Sequence, residues 1–401
     1  VGGMSRREIQ LGDAIHVKHG FAFKGEYFSH DGTYVVLTPG NFNEEGGFRL
    51  RPGKDRFYTG DIPEDYILGE GDLIVAMTEQ GPGLLGSSAL IPEDDRYLHN
   101  QRLGLIRDVD DSTLDKDFLY YLFNTRSVRG QIRGSATGTK VRHTAPERIY
   151  RVRVLVPSEV AEQRKIASIL STYDDLIENN RRRIQLLEQA ARLLYKEWFI
   201  HLRFPGHEHV KIIDGVPEGW ERKPLSELAY ITMGQSPKSI YYNEDGNGLP
   251  FHQGVANFGI RFPSHKTYCT VQNRIAEPGD ILFSVRAPVG RINITPDKIV
   301  IGRGIAAIRS NRDQQNLLYY ALKSHFFKED MIGGGAIFAA ITKKDLHGVE
   351  LEQTSDQIAD MFMEHVRPID LQIENLQKTI DALTQARDLL LPSLMNGEVA
   401  V

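Results

Sequence analysis

The sequence predicts an α+β fold: two β-rich domains related by internal duplication and separated by a long antiparallel helical coiled-coil pair. Three observations predict it. Apolar residues recur at threes and fours through two runs, one after Pro157 and one closing the chain, the stripe of a helix that buries one seam against another. Short β-type segments bounded by Gly, Pro, Asn and Asp clusters fill the stretch before each run. Landmarks of the first stretch then return in the second, in the same order.

The first run begins Glu162-Gln163-Arg164-Lys165-Ile166 and closes with Tyr195-Lys196-Glu197-Trp198-Phe199. Its stripe reads as Ile166, Ile169, Tyr173, Leu176, Asn180, Leu187, Leu194 and Trp198, and that of the second run as Val366, Ile369, Ile373, Leu376, Ile380, Leu383 and Leu390. Each run is about 40 residues, or roughly 60 Å of helix. A strut of that length needs its seam covered, and its twin is the matching seam. Pro368 predicts a kink, or a helix that begins only there.

Before the first run, residues 1–8 read as frayed, and strands are expected at Tyr34-Val35-Val36-Leu37-Thr38, Leu73 to Met77, Leu103 to Ile106 and Val152 to Val156. A helix is expected from about Asp117 to Arg129, followed by a glycine loop from Gly134 to Lys140. After the run, prolines and glycines from Arg203 to Trp220 mark a linker. Then Leu11 to Gly20 is echoed by Leu225 to Gly234, Gly71-Asp72-Leu73-Ile74 by Gly279-Asp280-Ile281-Leu282, and Leu119-Tyr120-Tyr121 by Leu318-Tyr319-Tyr320. The glycine loop returns as Gly333-Gly334-Gly335-Ala336. The boundaries are set at 1–157 and 203–354 for the two β-rich domains, the latter with its linker, and at 158–202 and 355–401 for the helices. If a pseudo-two-fold axis relates the copies, the domains are held inverted on the rod, matching the local dyads of duplex DNA.

The chain has 401 residues and a formal net charge of −5, which excludes a general polycation but not a local basic face. From Arg126 to Arg153 eight cations face one acid, Glu147; the footprint suits phosphate, and a merely solvated basic face is the alternative. The single cysteine, Cys269, points to a reducing, cytoplasmic setting. No signal peptide and no membrane-length apolar run is expected. A methyltransferase would show an Asn/Asp-Pro-Pro-aromatic element, and the chain has no Pro-Pro. Gly134 to Lys140 fails the P-loop spacing because Thr139 precedes the lysine. Asp214 with Glu221 and Lys223 mimics a nuclease metal motif, but in linker sequence. His207 and His209, two apart, do not share a helix face and read as solvated. Trp198 and Trp220 read as core anchors.

With these features in order, the chain resembles the specificity subunit of type I restriction-modification systems. The carriers are Tyr195 to Phe199 with Arg203-Phe204-Pro205-Gly206, then Pro217-Glu218-Gly219-Trp220, Val285-Arg286-Ala287-Pro288-Val289-Gly290, and Leu390-Leu391-Pro392-Ser393-Leu394 with Gly397-Glu398. The resemblance implies two target-recognition domains reading the halves of a bipartite double-stranded DNA target. It implies helices that dock two modification subunits, and restriction subunits beyond them. S-adenosylmethionine, ATP and Mg²⁺ belong to those partners, with no cofactor, catalytic residue or metal ligand in this chain. DNA contacts are expected in the first domain from Gln80, Gln101 and Arg102 on strand-end loops and from Gly138, Thr139, Lys140, Arg142 and His143 after the glycines. In the second they are expected from Gln235, Lys238, Arg286, Arg303, Lys343 and Lys344. The rival readings are a self-contained nuclease or methyltransferase, and a coiled-coil interaction scaffold that does not read DNA.

Overall fold

The computed structural model describes residues 5–51, 53–81, 83–326 and 340–399. It divides into two units, residues 1–178 with 380–401, and residues 179–379. Each holds a β-rich part and portions of two long helices, Val160–Tyr195 and Asp356–Asn396.

In the first unit Leu73–Ala76 is apolar at every position because both of its faces are covered. Leu73 and Val75 face a core shared with the helix Lys116–Phe123 and with Ile166 and Leu170 of the first long helix. Ile74 and Ala76 face a second core with Val35, Leu37 and Leu68. The strand lies in an antiparallel sheet ordered His16–His19, Leu103–Arg107, Leu73–Ala76, Ser88–Leu90. A five-stranded sheet is ordered Phe28–Ser29, Phe57–Tyr58, Tyr34–Val36, Tyr97–Leu98, Ile67–Leu68, with its one parallel pairing between Tyr34–Val36 and Tyr97–Leu98.

In the second unit Ile281–Ser284 has the same double burial, Ile281 and Phe283 on one side and Leu282 on the other. Its sheet runs Ala229–Met233, Ile305–Ser310, Ile281–Ser284, Ile292–Ile294. The five-stranded sheet runs Tyr242–Asn243, Tyr268–Cys269, Leu249–His252, Ile299–Ile301, Ile275–Ala276, again with one parallel pairing, Leu249–His252 with Ile299–Ile301. Strand for strand, the two orders correspond.

Four expectations are corrected. Residues from Arg6 are not frayed, because Arg6–Gln10 pairs antiparallel with Arg153–Pro157. The expected helix from Asp117 to Arg129 is two helices, since Asn124 and Thr125 turn the chain and the Thr125 hydroxyl caps Arg126–Gly134 by accepting from Val128 N–H. Glu221 and Lys223 lie not in a linker but in the strand Glu221–Pro224, paired with Glu350–Gln353, where Lys223 Nζ sits 2.8 Å from Glu221. Pro368 does not delay the second helix, which starts at Asp356 with Ala359, Phe362 and Met363 buried before it. Pro368 is on the exposed face of the helix.

The seam of the first helix is broader than the expected stripe. Ile166, Asn180 and Trp198 are buried as expected, Ile169 and Leu176 are exposed, and a second buried row runs through Gln163, Leu170, Ile177, Ile184 and Ala191 to Trp198, every seventh residue. The second helix repeats the interval at Ala359, Val366, Ile373, Ile380 and Leu394, with half-buried Arg387 in the remaining place. A strict seven-residue repeat is the period of a left-handed supercoil seam. Trp198 lies in a single π-turn, Lys196–Ile200, that ends the helix. Trp198 and Trp220 are both buried in the second core with Phe199, Phe204 and Phe362.

Each unit ties its β-rich part to a long helix through a polar cluster. In the first, Tyr121 OH donates to Asp174 (2.7 Å), whose other oxygen accepts from Arg387 (2.6 Å). In the second, Tyr320 OH donates to Asp370 (2.6 Å) and Arg261 Nη2 donates to the same oxygen (2.8 Å). Arg261, 2% exposed, also pairs with Glu188 and lies over the Tyr319 ring, its charge centre 4.2 Å from the centroid. Burial opposes its charge, but Tyr319, Glu188 and Asp370 hold the Arg261 guanidinium well above its ordinary pKa. Burial likewise opposes the Glu188 charge, and Arg261 and Lys323 hold its carboxyl below the usual range. Breaking such a buried pair from one side strands the remaining charges. Arg261→Ala is therefore expected to destabilise the second unit by about 3–5 kcal/mol, read as a lowered calorimetric transition; a transition left in place would show that the cluster contributes packing alone.

Candidate nucleic-acid interface

A backbone hydrogen-bond frame assembles the candidate residues. In the first unit Met77 N–H donates to the Arg102 carbonyl (2.9 Å), and Thr144 N–H donates to the Met77 carbonyl (2.9 Å). Phe21 N–H donates to His99 and Gln101 N–H to Phe21, both at 2.9 Å. Arg142–His143 pairs antiparallel with Thr78–Glu79, which sets exposed Gln80 beside the glycine loop. Three segments distant in sequence thus bring Gln80, Gln101, Arg102, Lys140, Arg142 and His143 to one edge.

The second unit repeats the frame. Val285 N–H donates to the Gly304 carbonyl (3.0 Å), Ile341 N–H to the Val285 carbonyl (2.9 Å) and Gln235 N–H to the Ile301 carbonyl (3.0 Å). Arg286 bridges to Ala340. Gln235, Lys238, Arg286 and Arg303 stand on these segments, while Lys343 and Lys344 lead a short helix, Lys343–His347, capped by Thr342. All six are exposed. Gly20 and Gly234 fit the same close approach: a Cβ would fall 1.9 Å from the Asn100 carbonyl oxygen and 2.1 Å from that of Gly302. The expected second glycine loop, Gly333-Gly334-Gly335-Ala336, lies outside the described residues.

The basic run of the first unit is less free than its composition implies. Arg129 is buried and donates to the Glu44 and Gly83 carbonyls. Arg142 is half-buried and in a strand, not a loop; it donates to the Arg133 carbonyl and lies 3.8 Å from buried Glu79. Glu79 in turn accepts from the N–H groups of Gly83, Leu84 and Leu85 at 2.9–3.1 Å, holding the loop after Gln80. Arg148 donates to Thr137 Oγ1 (3.1 Å). Lys140 and Thr139 are exposed on the loop, and Lys140 has no ion pair among the described residues. Gly138 is fixed by the turn itself: its φ is +99°, and a Cβ would meet the Val141 carbonyl at 2.0 Å.

Sequence reasoning missed a cleft of about 690 Å³ in the second unit, lined by Ser236, Tyr242, His252, Gln253, Asn257 and Arg303 among others. Ser236 Oγ accepts from Arg303 N–H (3.1 Å) and donates to Gln253 Oε1 (2.8 Å). His252 is buried and hydrogen-bonded to His265 (2.8 Å), which reaches Asp297 (3.1 Å). The one legible signal was a polar pair, His252-Gln253, closing an apolar strand before glycine.

Among the described residues no group of three or more His, Cys, Asp and Glu could hold a metal, and no helix is long and apolar enough to cross a membrane. His207 contacts the Phe204 carbonyl (2.8 Å), and Glu208 lies 3.3 Å from His207 and 3.8 Å from His209.

The chain thus holds two β-rich modules of one strand order, each presenting polar and basic loops from the same frame. The chain matches the family described as the Type I restriction modification DNA specificity domain over residues 7–189 and again over 217–380, and it belongs to that family. It is a type I specificity subunit. A Methanocaldococcus jannaschii chain named as the type I restriction enzyme MjaX specificity subunit is 32% identical over 87% of this chain and 80% of its own. The MjaIX specificity subunit of that organism is 28% identical over 71% of this chain and 69% of its own. The crystal structure of the type I restriction-modification S subunit from M. genitalium superposes with a TM-score of 0.58 at 19% identity, covering 98% of this chain and 97% of that one, a likeness of fold.

His99 and His252 give the two units a shared acid sensitivity. Burial first, and for His252 the neighbouring His265, pushes each imidazole down to about 4. Each is neutral when folded and titrates near 6.5 when unfolded. Their contribution is fully present above about pH 6.5 and is lost as pH falls toward 4, up to about 3 kcal/mol for each. Thermal midpoints should therefore drop between pH 7 and 4.5, and His99→Phe should flatten that slope; an unchanged slope would place the acid sensitivity elsewhere.

Proposed function

We propose that the chain recognises a bipartite, asymmetric double-stranded DNA target, one half-site for each β-rich domain, as the DNA-reading subunit of a type I restriction-modification complex. The two long helices pair antiparallel as a coiled-coil spacer. They dock two modification subunits, which bring S-adenosylmethionine for adenine methylation, while restriction subunits bring ATP and Mg²⁺. The observation that carries the reading is the recurrence of one hydrogen-bond frame, Arg102 to Met77 to Thr144 and Gly304 to Val285 to Ile341, under different loop side chains. A shared frame with divergent loops is what an internal duplication leaves when each copy reads its own sequence. Antiparallel pairing is supported in each unit separately: Ile166 and Leu170 share a core with Leu394 in the first, and Ala191 shares one with Ala359 and Val366 in the second. DNA contacts are assigned to Gln80, Gln101, Arg102, Gly138, Thr139, Lys140 and His143, and to Gln235, Lys238, Arg286, Arg303, Lys343 and Lys344, with Arg142 supporting the loop as well.

Exchanging Leu225 to Glu350 for the equivalent segment of a relative tests the reading. Methylome sequencing of cells carrying the whole operon should show one half of the target changed and the other intact; joint change of both halves would end the idea of independent readers. Lys140→Ala should weaken binding and lower the log-log salt slope by about 0.9, the share of one phosphate contact. Arg142→Ala should instead cost stability, because its guanidinium braces the Glu79 loop. A Lys140→Ala slope equal to that of the parent would remove this loop from the phosphate contacts.

A further inference from the structure

The two units differ most where their frames are most alike. The segment Ile301 to Gly304 corresponds to His99 to Arg102 through the shared hydrogen bonds. The strand Leu249–His252 corresponds to Tyr34–Val36 through the parallel pairing. On this register, Ser236, Gln253 and Arg303 of the second unit stand where the first has Ala22, Thr38 and Gln101. Thr38 is half-buried with its hydroxyl donated to Asn41 Oδ1 (3.1 Å), whereas Gln253 is exposed at the cleft.

Two glycines make room for Gln253. The strand runs on past His252 because Gly302 N–H donates to the His252 carbonyl (2.8 Å) and Gly304 N–H to the Gln253 carbonyl (3.1 Å). A Cβ on Gly302 would lie 2.8 Å from Gln253 Oε1, and one on Gly304 would lie 2.4 Å from the Gln253 backbone oxygen. The first unit carries Asn100 and Arg102 at these places. The side-chain amide is then oriented from behind. Ser236 Oγ, having accepted the Arg303 N–H, has its own proton for Gln253 Oε1. Gln253 Nε2 has no partner among the described residues, and neither does the Arg303 guanidinium.

We infer that Gln253 is a base-reading, specificity-determining residue of the second half-site, that Ser236 is its positioning residue, and that with Arg303 it selects a guanine. The inference rests on the DNA-recognition reading and adds a residue and a base to it. A free glutamine can match adenine by donating to N7 while accepting from the N6 amino group. Gln253 has its oxygen turned onto Ser236, so it offers the amide hydrogens. Arg303 offers donors only. Guanine presents N7 and O6, two acceptors, to the major groove, whereas adenine and cytosine present an amino donor that would meet donors here.

The test uses the chain assembled with its modification subunits and a pool of duplexes randomised over the target, with bound sequences read by sequencing. The parent should select a guanine at a position where Gln253→Leu loses that preference roughly tenfold to hundredfold, the discrimination of one well-made base contact. The other half-site should be unchanged. Ser236→Ala should admit adenine at that same position, because the amide can then turn; a merely structural serine would lower affinity without changing the base. Gln253→Met, similar in length, serves as the second variant if leucine disturbs the strand end. Selection profiles identical to the parent for Gln253→Leu and Gln253→Met, or a change falling on a base other than guanine, would overturn the inference while leaving the recognition role intact. A parent complex that selects no sequence would overturn both.

Discussion

A tyrosine hydroxyl donated to an aspartate of a long helix, with an arginine on the same carboxylate, is the tie on which each unit depends. Asp174 stands four residues after the buried Leu170, and Asp370 four residues after the buried Val366. The aspartates thus hold one phase in the two heptad patterns, and their partners Tyr121 and Tyr320 hold one place in the two short domain helices. Burial, reinforced by Asp174, pushes the Tyr121 hydroxyl pKa up, so it stays a donor. Such a tie contributes geometry more than energy, since a buried ion pair roughly breaks even against apolar packing. What it fixes is the phase of the candidate loops about the helix.

The arginine arrives differently in each unit. In the first it is Arg387 of the second long helix, occupying a heptad place that is otherwise apolar. In the second the heptad place is Ala191 of the first long helix, and the charge comes from the β-rich part as Arg261. Arg261 also draws in Glu188 and Lys323. The same aspartate therefore receives a cation from a helix in one unit and from a loop in the other. Two units of one strand order that keep a tie while changing its source keep the β-rich part oriented on its helix and release the surrounding sequence.

Much of this organisation was legible because it rests on local pattern. Leu73–Ala76 read as a strand from an unbroken apolar run, and the repeat read from the echo of Gly71-Asp72-Leu73-Ile74 in Gly279-Asp280-Ile281-Leu282, both turn glycines being at positive φ. The family resemblance followed from motifs in order. The misreadings have a common physical source, that one-dimensional pattern does not say which neighbour arrives from elsewhere. Ile169 and Leu170 are both apolar, as are Leu176 and Ile177, and only the facing helix decides which of each pair is covered. Arg129 and Arg142 read as free cations because Glu44, Gly83 and Glu79 lie far from them in sequence. Ser236 and Gln253 were invisible for the same reason, since their relation exists only once Gly302 and Gly304 bring two segments together.

On the proposed reading, the separation of frame from loops governs how such a chain would change its target. The bonds that hold the candidate edge, Met77 to Arg102 and Thr144 in one unit and Val285 to Gly304 and Ile341 in the other, are made by backbone and place no demand on side-chain identity. Exposed positions on those segments, Gln101 and Arg303 for instance, can therefore vary at little cost to folding. Ser236, Gln253, Gly302 and Gly304 cannot vary singly in that way. A side chain at Gly304 would strike the Gln253 backbone, and a leucine at 253 would leave Ser236 without its acceptor. Change there has to come as a set. The first unit, with Ala22, Thr38, Asn100 and Arg102 in those places, is such a set, with larger residues for both glycines. If these residues read DNA as proposed, the candidate edge has freely variable positions on a backbone frame and a coupled group whose members must be exchanged together.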